Sequence, residues 1–315
     1  MKVMSIMNLS HTARNGTRGQ LQDRISVMPR PNVSFEFFPP QSLDASFRLW
    51  DTVRHLAPLD PTFVSVTYGA GGTTRDLTHD AVTTIGKNYG LNVAAHLTCV
   101  EATRDETLAI AKRYAEAGVT ELVALRGDPP KGKGPFRAHP DGFADSYELI
   151  SALAETGDFH IRVGAYPDPH PDAAHDGADV EWLKRKVDAG ATSAITQFFF
   201  EAETFFRFRD ACEKAGIDVP IIPGILPVEN WKGVRKFAET CGARIPAWVD
   251  EAFTKAERDD RTELLATALC SELCSELLDG GVEDLHFYTL NKPHLTRTVC
   301  HALGVVPEAV LEKVA

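Results

Sequence analysis

Short apolar runs recur along the chain at intervals of roughly thirty residues, and each breaks off on polar residues, glycine or proline. The runs are 33–38 (VSFEFF), 63–68 (FVSVTY), 93–99 (VAAHLTC), 122–125 (LVAL), 161–167 (IRVGAYP), 194–199 (AITQFF), 220–226 (PIIPGIL) and 284–290 (DLHFYTL). They are too short for helices and bounded by turn formers, which predicts buried β-strands. Helical stretches fill the intervals: 47–56, a segment through Ala81 to Gly90, 103–118, 147–154, 179–190, 203–215, 231–240, 247–253 and 261–278, with a helical tail through His301. Thr103 and Glu106 have the spacing of a capping box. Glycine stands where helices should stop, at Gly90, Gly118, Gly190, Gly216, Gly242 and Gly280, as left-handed helix ends require.

Strand followed by helix, eight times over, is the pattern of parallel βα units. It predicts an α/β fold, a closed (β/α)8 TIM barrel in a single domain. A doubly wound open sheet is the runner-up; against it, no G-x-G-x-x-G follows any predicted strand. Residues 1–30 are polar and aperiodic, broken at Asn15-Gly16 and Arg18-Gly19, so a flexible N-terminal arm is expected ahead of a catalytic barrel over 31–315.

The net charge of -11 argues against a phosphate-backbone partner, and no basic run offsets it. No apolar run reaches the length of a membrane span, and residues 1–10 lack the apolar core of a secretory signal. The six cysteines contain no C-x-x-C pair. Cys270 and Cys274 would share a helix face without a second ligand pair, which suits buried thiols better than zinc. A cytoplasmic protein is expected.

The candidate chemistry lies where the strands end. The run 122–125 stops on Arg126-Gly127-Asp128, before Pro129 and Pro130 forbid further ladder pairing. Taken alone, this reads first as a solvated turn with an incidental ion pair. The design recurs, however: the carboxyl ends carry Glu36, Thr67 with Tyr68, His96 with Thr98, Tyr166 with Asp168 and His170, Gln197, and Tyr288 with Asn291, while strand starts read as plainer. Packing alone accounts poorly for so many hydrogen-bonding strand ends, since each buried polar group needs a partner. In a parallel barrel those ends form the active-site face. Individual residues keep a structural alternative: His96 as a core histidine, Glu36 as the ion-pair partner of Arg126. Neither H-x-H nor H-E-x-x-H occurs, nor a G-x-S-x-G elbow, so metal and serine hydrolysis lack support. Few acids (Glu36, Asp128, Asp168) among donors and aromatics suit a large heteroaromatic ligand. The residues by themselves indicate a barrel enzyme with an organic cofactor or substrate and one or two catalytic carboxylates.

The segments 33–40, 63–70, 95–99, 122–128, 165–167, 185–190, 194–200, 221–228 and 286–291 resemble the strands and rims of the methylenetetrahydrofolate reductases, and the likeness spans roughly 32–305. The resemblance implies a barrel that binds FAD, takes electrons from NADH (or NADPH), and reduces 5,10-methylenetetrahydrofolate to 5-methyltetrahydrofolate for methionine synthesis, in a homo-oligomer. It matches Glu36 to the general acid, Asp128 to the aspartate beside flavin and pterin, and Gln197 to the pterin-binding glutamine. Thr67, His96, Arg126, Gly127, Tyr166, His170, Asp179 and Lys186 match flavin contacts. Phe237 matches the aromatic that packs on the folate aryl ring or the nicotinamide; as a helix residue it also reads as core-facing. Gln41 and Lys292 stand where family members commonly carry arginine, which bears on the folate tail because lysine lacks arginine's bidentate fork. The chain ends without the regulatory domain of longer members, so no inhibition by S-adenosylmethionine is expected. Two other readings remain from the sequence: a flavin- or folate-binding barrel subunit without reductase activity, and a metal-dependent barrel lyase or hydrolase.

Overall fold

The computed structural model describes residues 30–69, 74–129, 132, 134 and 136–307. The expected arm therefore lies, but for Arg30, outside the described residues, as does Pro130. The elements follow in the order β1 (Asn32–Phe37), α1 (Leu43–Leu56), β2 (Phe63–Val66), α2 (Arg75–Tyr89), β3 (Val93–Thr98), α3 (Arg104–Glu116), β4 (Glu121–Leu125), α4 (Ser146–Thr156), β5 (His160–Ala165), α5 (Ala178–Asp188), β6 (Ser193–Thr196), α6 (Ala202–Lys214), β7 (Ile221–Ile222), β8 (Gly224–Ile225), α7 (Trp231–Cys241), α8 (Ala247–Arg258), α9 (Thr262–Asp279), β9 (Asp284–Tyr288) and α10 (Pro293–Ala302). Every strand pairing is parallel, and neighbours run β7-β6-β5-β4-β3-β2-β1-β9-β8.

The two ends of that order are halves of one predicted strand. Pro223 separates β7, which pairs with β6, from β8, which pairs with β9. Proline cannot donate to a ladder, yet its carbonyl still accepts from His286 N at 3.0 Å. The wall thus closes to within this interruption, and the fold is the (β/α)8 barrel that the alternation predicts.

Period-two alternation sorts each strand between two cores. Val33, Phe35 and Phe37 of β1, with Leu285 and Phe287 of β9, join the large cluster between wall and helices. Phe63, Ala94, Val123, Ile195 and Ile222 form a smaller cluster inside the barrel, with Leu125 and Tyr288 packed against it. Helix ends behave largely as their sequences require. Thr103 and Glu106 form the reciprocal capping box, and Gly90, Gly118, Gly190, Gly216 and Gly242 have positive φ. Gly280 departs from expectation: its φ is -80°, and Gly281, at +84°, makes the left-handed turn instead.

A second departure lies at the amino ends of the strands, which are not plain. Glu121 at the start of β4 accepts from Arg162 Nε of β5 at 2.7 Å and is also bonded by Asn92. Arg162 Nη1 reaches Ser193 Oγ at 3.0 Å, and its guanidinium lies 3.8 Å above the Phe63 ring. This buried ion pair floors the barrel.

Candidate active site at the barrel mouth

On β1, alternation turns Ser34 and Glu36 inward; on β9 it turns His286 and Tyr288 to the same face, in register with them. Glu36 Oε2 lies 3.3 Å from His96 Nε2 of β3 and 3.9 Å from His286 Nε2. Ser34 Oγ is 2.8 Å from His286 Nδ1. The expected partnership of Glu36 with Arg126 is not present: Arg126 Nη2 meets Asp172 Oδ2 at 3.2 Å, because β4 delivers it to the far side of the mouth. His96 is likewise no backbone-bonded core histidine, since its Nε2 faces the carboxylate.

Two imidazoles set the protonation state of this carboxyl. Burial alone pushes the Glu36 carboxyl up, but the imidazoles of His286 and His96 on the same oxygen outweigh it and hold the group at about 2. Burial in turn lowers His286, against the opposing pull of Glu36. His286 was not among the sequence candidates; the signal for it was its period-two partnership with Tyr288 inside an apolar run.

Across the mouth, a cleft of about 490 Å³ brings together Arg126, Gly127, Asp128, Tyr166, His170, Asp179 and Lys186. His96, on β3, and Thr67, just past the end of β2, stand outside its lining. Lys186, 6% exposed, projects from α5 and donates to the Gly164 carbonyl at 2.7 Å. Burial depresses its ammonium to about 8, countered by Asp179 and reinforced by Arg126. The Asp179 carboxylate accepts from His170 N at 3.1 Å. The Tyr166 and His170 rings meet edge-on at 4.6 Å, and burial, with the charge of Asp128, pushes the Tyr166 hydroxyl up to about 12. Gly127 has φ +84°, and a Cβ there would lie 2.8 Å from Thr98 Cβ and Val100 Cγ1. Only glycine therefore lets the end of β4 pack this closely on the residues that close β3.

The remaining candidates sit on the third side. Gln197 Oε1 accepts from Phe198 N at 3.1 Å. Phe237 is not core-facing: it is 43% exposed and stacks on Phe198 at 5.4 Å. Lys292 Nζ pairs with Glu229 Oε2 at 3.2 Å, and Gln41 is exposed. Asp168, a candidate acid, accepts from Arg244 N at 2.9 Å, and burial raises its carboxyl. All six cysteines are free thiols, buried except for the partly exposed Cys241. Among the described residues no group of three His, Cys, Asp or Glu is placed to hold a metal ion, and no helix is long and apolar enough to cross a membrane.

Across the mouth of a parallel barrel, two cations in a cleft face a largely buried carboxylate, an arrangement that suits an anionic organic ligand; the fold is that of the (β/α)8 enzymes. The sequence profile of methylenetetrahydrofolate reductase matches residues 20–304. Among relatives, the 5,10-methylenetetrahydrofolate reductase of Pectobacterium carotovorum is 46% identical over 94% of this chain and 96% of its own length. That of Escherichia coli is 47% identical over 91% and 95%. By structure, an uncharacterized Clostridium thermocellum protein that binds two copies of 5-methyl-5,6,7,8-tetrahydrofolic acid superposes with a TM-score of 0.57 at 13% identity, over 90% of this chain and 98% of that one; this likeness concerns the fold. The chain belongs to the methylenetetrahydrofolate reductase family, and it is an oxidoreductase of the short bacterial type.

Proposed function

We propose that the chain reduces 5,10-methylenetetrahydrofolate to 5-methyltetrahydrofolate in two half-reactions at one mouth, acting in the cytoplasm as a homo-oligomer and supplying methyl groups for methionine synthesis. The observation that carries this reading is the division of the mouth into a cationic cleft and a buried carboxylate. The cleft fits FAD: Arg126 and Lys186 suit its diphosphate, Gly127 admits close backbone approach, and Tyr166 with His170 supplies flat faces. His96 on β3 and Thr67 just past β2 add donors. Bound there, FAD would accept hydride from NADH or NADPH and pass it to the folate methylene carbon. Gln197 supplies an amide for the pterin edge, and Phe237 an exposed ring for the folate aryl group or the nicotinamide. Lys292, free to exchange Glu229 for another carboxylate, faces the folate tail.

Glu36 performs the step that the first half-reaction does not need. The five-membered folate ring opens when the bond from the methylene carbon to one nitrogen breaks. The electron pair stays on that nitrogen, which takes the Glu36 proton, and the carbon is left as an iminium that accepts hydride. In the ligand-free chain Glu36 is ionised, so it takes its proton from solvent as the folate fills the mouth and deepens its burial. A positioned acid contributes about 10²- to 10⁴-fold. Glu36→Gln should therefore leave flavin reduction by NADH near the wild-type rate in stopped flow and slow reoxidation by methylenetetrahydrofolate at least about a hundredfold. Reoxidation at the wild-type rate in a flavin-loaded variant would remove Glu36 from this role.

A further inference from the structure

Below the acid, the barrel axis carries a stacked column. The Arg162 guanidinium lies 3.8 Å over Phe63, Phe63 stacks on His286 at 5.4 Å and 11°, and His286 Nε2 faces Glu36. His286 has no solvent exposure, so its ring cannot exchange partners with water. Its Nδ1 has one neighbour that can act either way, the hydroxyl of Ser34 at 2.8 Å. That same hydroxyl lies 3.3 Å from the Leu285 carbonyl. A hydroxyl carries one hydrogen and two lone pairs, and a neutral imidazole has one donor and one acceptor nitrogen.

These contacts allow two arrangements with the heavy atoms in place. In one, Ser34 donates to Nδ1, and His286 presents Nε2–H to an ionised Glu36. In the other, Ser34 turns its hydrogen to Leu285 O and accepts from Nδ1–H, so that Nε2 offers a lone pair to a protonated Glu36. The second holds one more proton, on Glu36, and also carries the ring hydrogen of His286 on Nδ1 instead of Nε2, a relocation that the unexposed ring has no water to carry. An ionised Glu36 can only accept, so the nitrogen facing it must carry the hydrogen, which selects the first arrangement. At 3.9 Å the Nε2–H acts on Oε2 as an oriented dipole rather than a full hydrogen bond.

We propose that His286, held by Ser34 as the Nε2–H tautomer, is a positioning residue for Glu36: its oriented N–H favours the ionised carboxyl and so sets the pH below which the acid keeps its proton. The proposal rests on the reading of Glu36 as the folate-side acid. The other groups facing this cluster are His96 from β3, Tyr288 from β9 and, through Phe63, Arg162 from β5. His96 approaches Glu36 more closely than His286 does, but no described contact links its Nδ1 to a hydroxyl.

The test uses the full chain in two forms. On flavin-free protein, ¹⁵N spectra of the histidine rings should show His286 as the Nε2–H tautomer near neutral pH, and Ser34→Ala should lose that preference. On flavin-loaded protein, the rate of reoxidation by methylenetetrahydrofolate is followed against pH. It falls as Glu36 deprotonates, and His286→Leu removes a group that favours deprotonation. The pH of that fall should move up by about one unit or more in His286→Leu, and by less in Ser34→Ala, while flavin reduction by NADH stays unchanged. An Nδ1–H tautomer in the wild type, or a pH profile unmoved in both variants, overturns the proposal. Should His286→Leu not fold, Ser34→Ala, which removes a single oxygen, decides alone. If Glu36→Gln is itself fully active, the underlying reading has failed; if Glu36→Gln is slow and the profiles do not move, only the role of His286 has.

Discussion

Lys186 Nζ and the Gly164 carbonyl oxygen, 22 positions apart in sequence, are joined by a hydrogen bond of 2.7 Å across the α5–β5 junction. The bond holds an ammonium at the floor of the cleft with few other partners, and its proton is correspondingly loosely held, at about 8.

A diphosphate arriving beside this ammonium would raise its proton affinity, because an anion favours the charged form. Binding of FAD should therefore take up a fraction of a proton near pH 8 and weaken as the pH rises further. Calorimetry in buffers of different ionisation enthalpy measures the uptake. Lys186→Ala should abolish it and loosen the flavin, with the thermal melt of the flavin-free chain no lower than wild type. Equal proton uptake in the variant would place the diphosphate elsewhere.

Glu36 gives the opposite sign in acid. Its carboxyl lies at about 2 in the fold against an ordinary 4.5. A depressed carboxyl contributes stability that is complete above the unfolded value and is lost as pH falls through the folded one. The contribution is at most about 3 kcal/mol. Urea unfolding of wild type and Glu36→Gln should show the wild type ahead at pH 7, with the gap shrinking from about pH 5 down to about pH 2. A gap independent of pH would mean that the carboxylate gains nothing from its two histidines.

Asp128 is exposed on the rim, where a bound flavin would cover it. A fixed negative charge disfavours an anionic reduced flavin, by about 1 kcal/mol at 4 Å in water-like surroundings and about 4 kcal/mol at an effective dielectric near 20. For a two-electron couple this is roughly 20 to 90 mV. Asp128→Asn should raise the midpoint potential within that range, as read by spectroelectrochemistry. An unchanged potential would move Asp128 away from the flavin ring.

At the opposite end of the barrel, Glu121→Gln leaves the largely buried Arg162 guanidinium without its counter-charge. Breaking a buried pair from one side costs about 3–5 kcal/mol. Chemical unfolding should show a loss of that order, with flavin reduction by NADH unaffected. A loss below about 1 kcal/mol would mean that water reaches the pair.

The βα alternation was legible because strands of a parallel barrel are buried on both faces and read as compact apolar runs. The cationic cleft was legible for a related reason: Arg126, Gly127 and Asp128 follow an apolar run directly, so sequence adjacency brings them together. The acid's surroundings were not. His286 and Ser34 are 252 positions apart and meet through strand register, a quantity that no local pattern carries. Glu121 and Arg162 were passed over because they sit at strand starts, where a charge is ordinarily solvated. The break at Pro223 was visible as a residue but not as an interruption, since proline in a strand signals lost pairing without telling which neighbour is lost.

The separation of the cationic cleft, on β4, β5 and α5, from the acid, on β1 with β3 and β9, has an evolutionary reading. Apart from His96, which serves both, the two halves are carried by separate stretches of the chain. On the function proposed above, a descendant that lost the carboxyl of Glu36 while keeping Arg126 and Lys186 would retain its nucleotide and accept electrons, but would discharge them onto whatever oxidant reached the mouth. A dedicated folate enzyme of this architecture therefore stands one substitution from a general-purpose diaphorase.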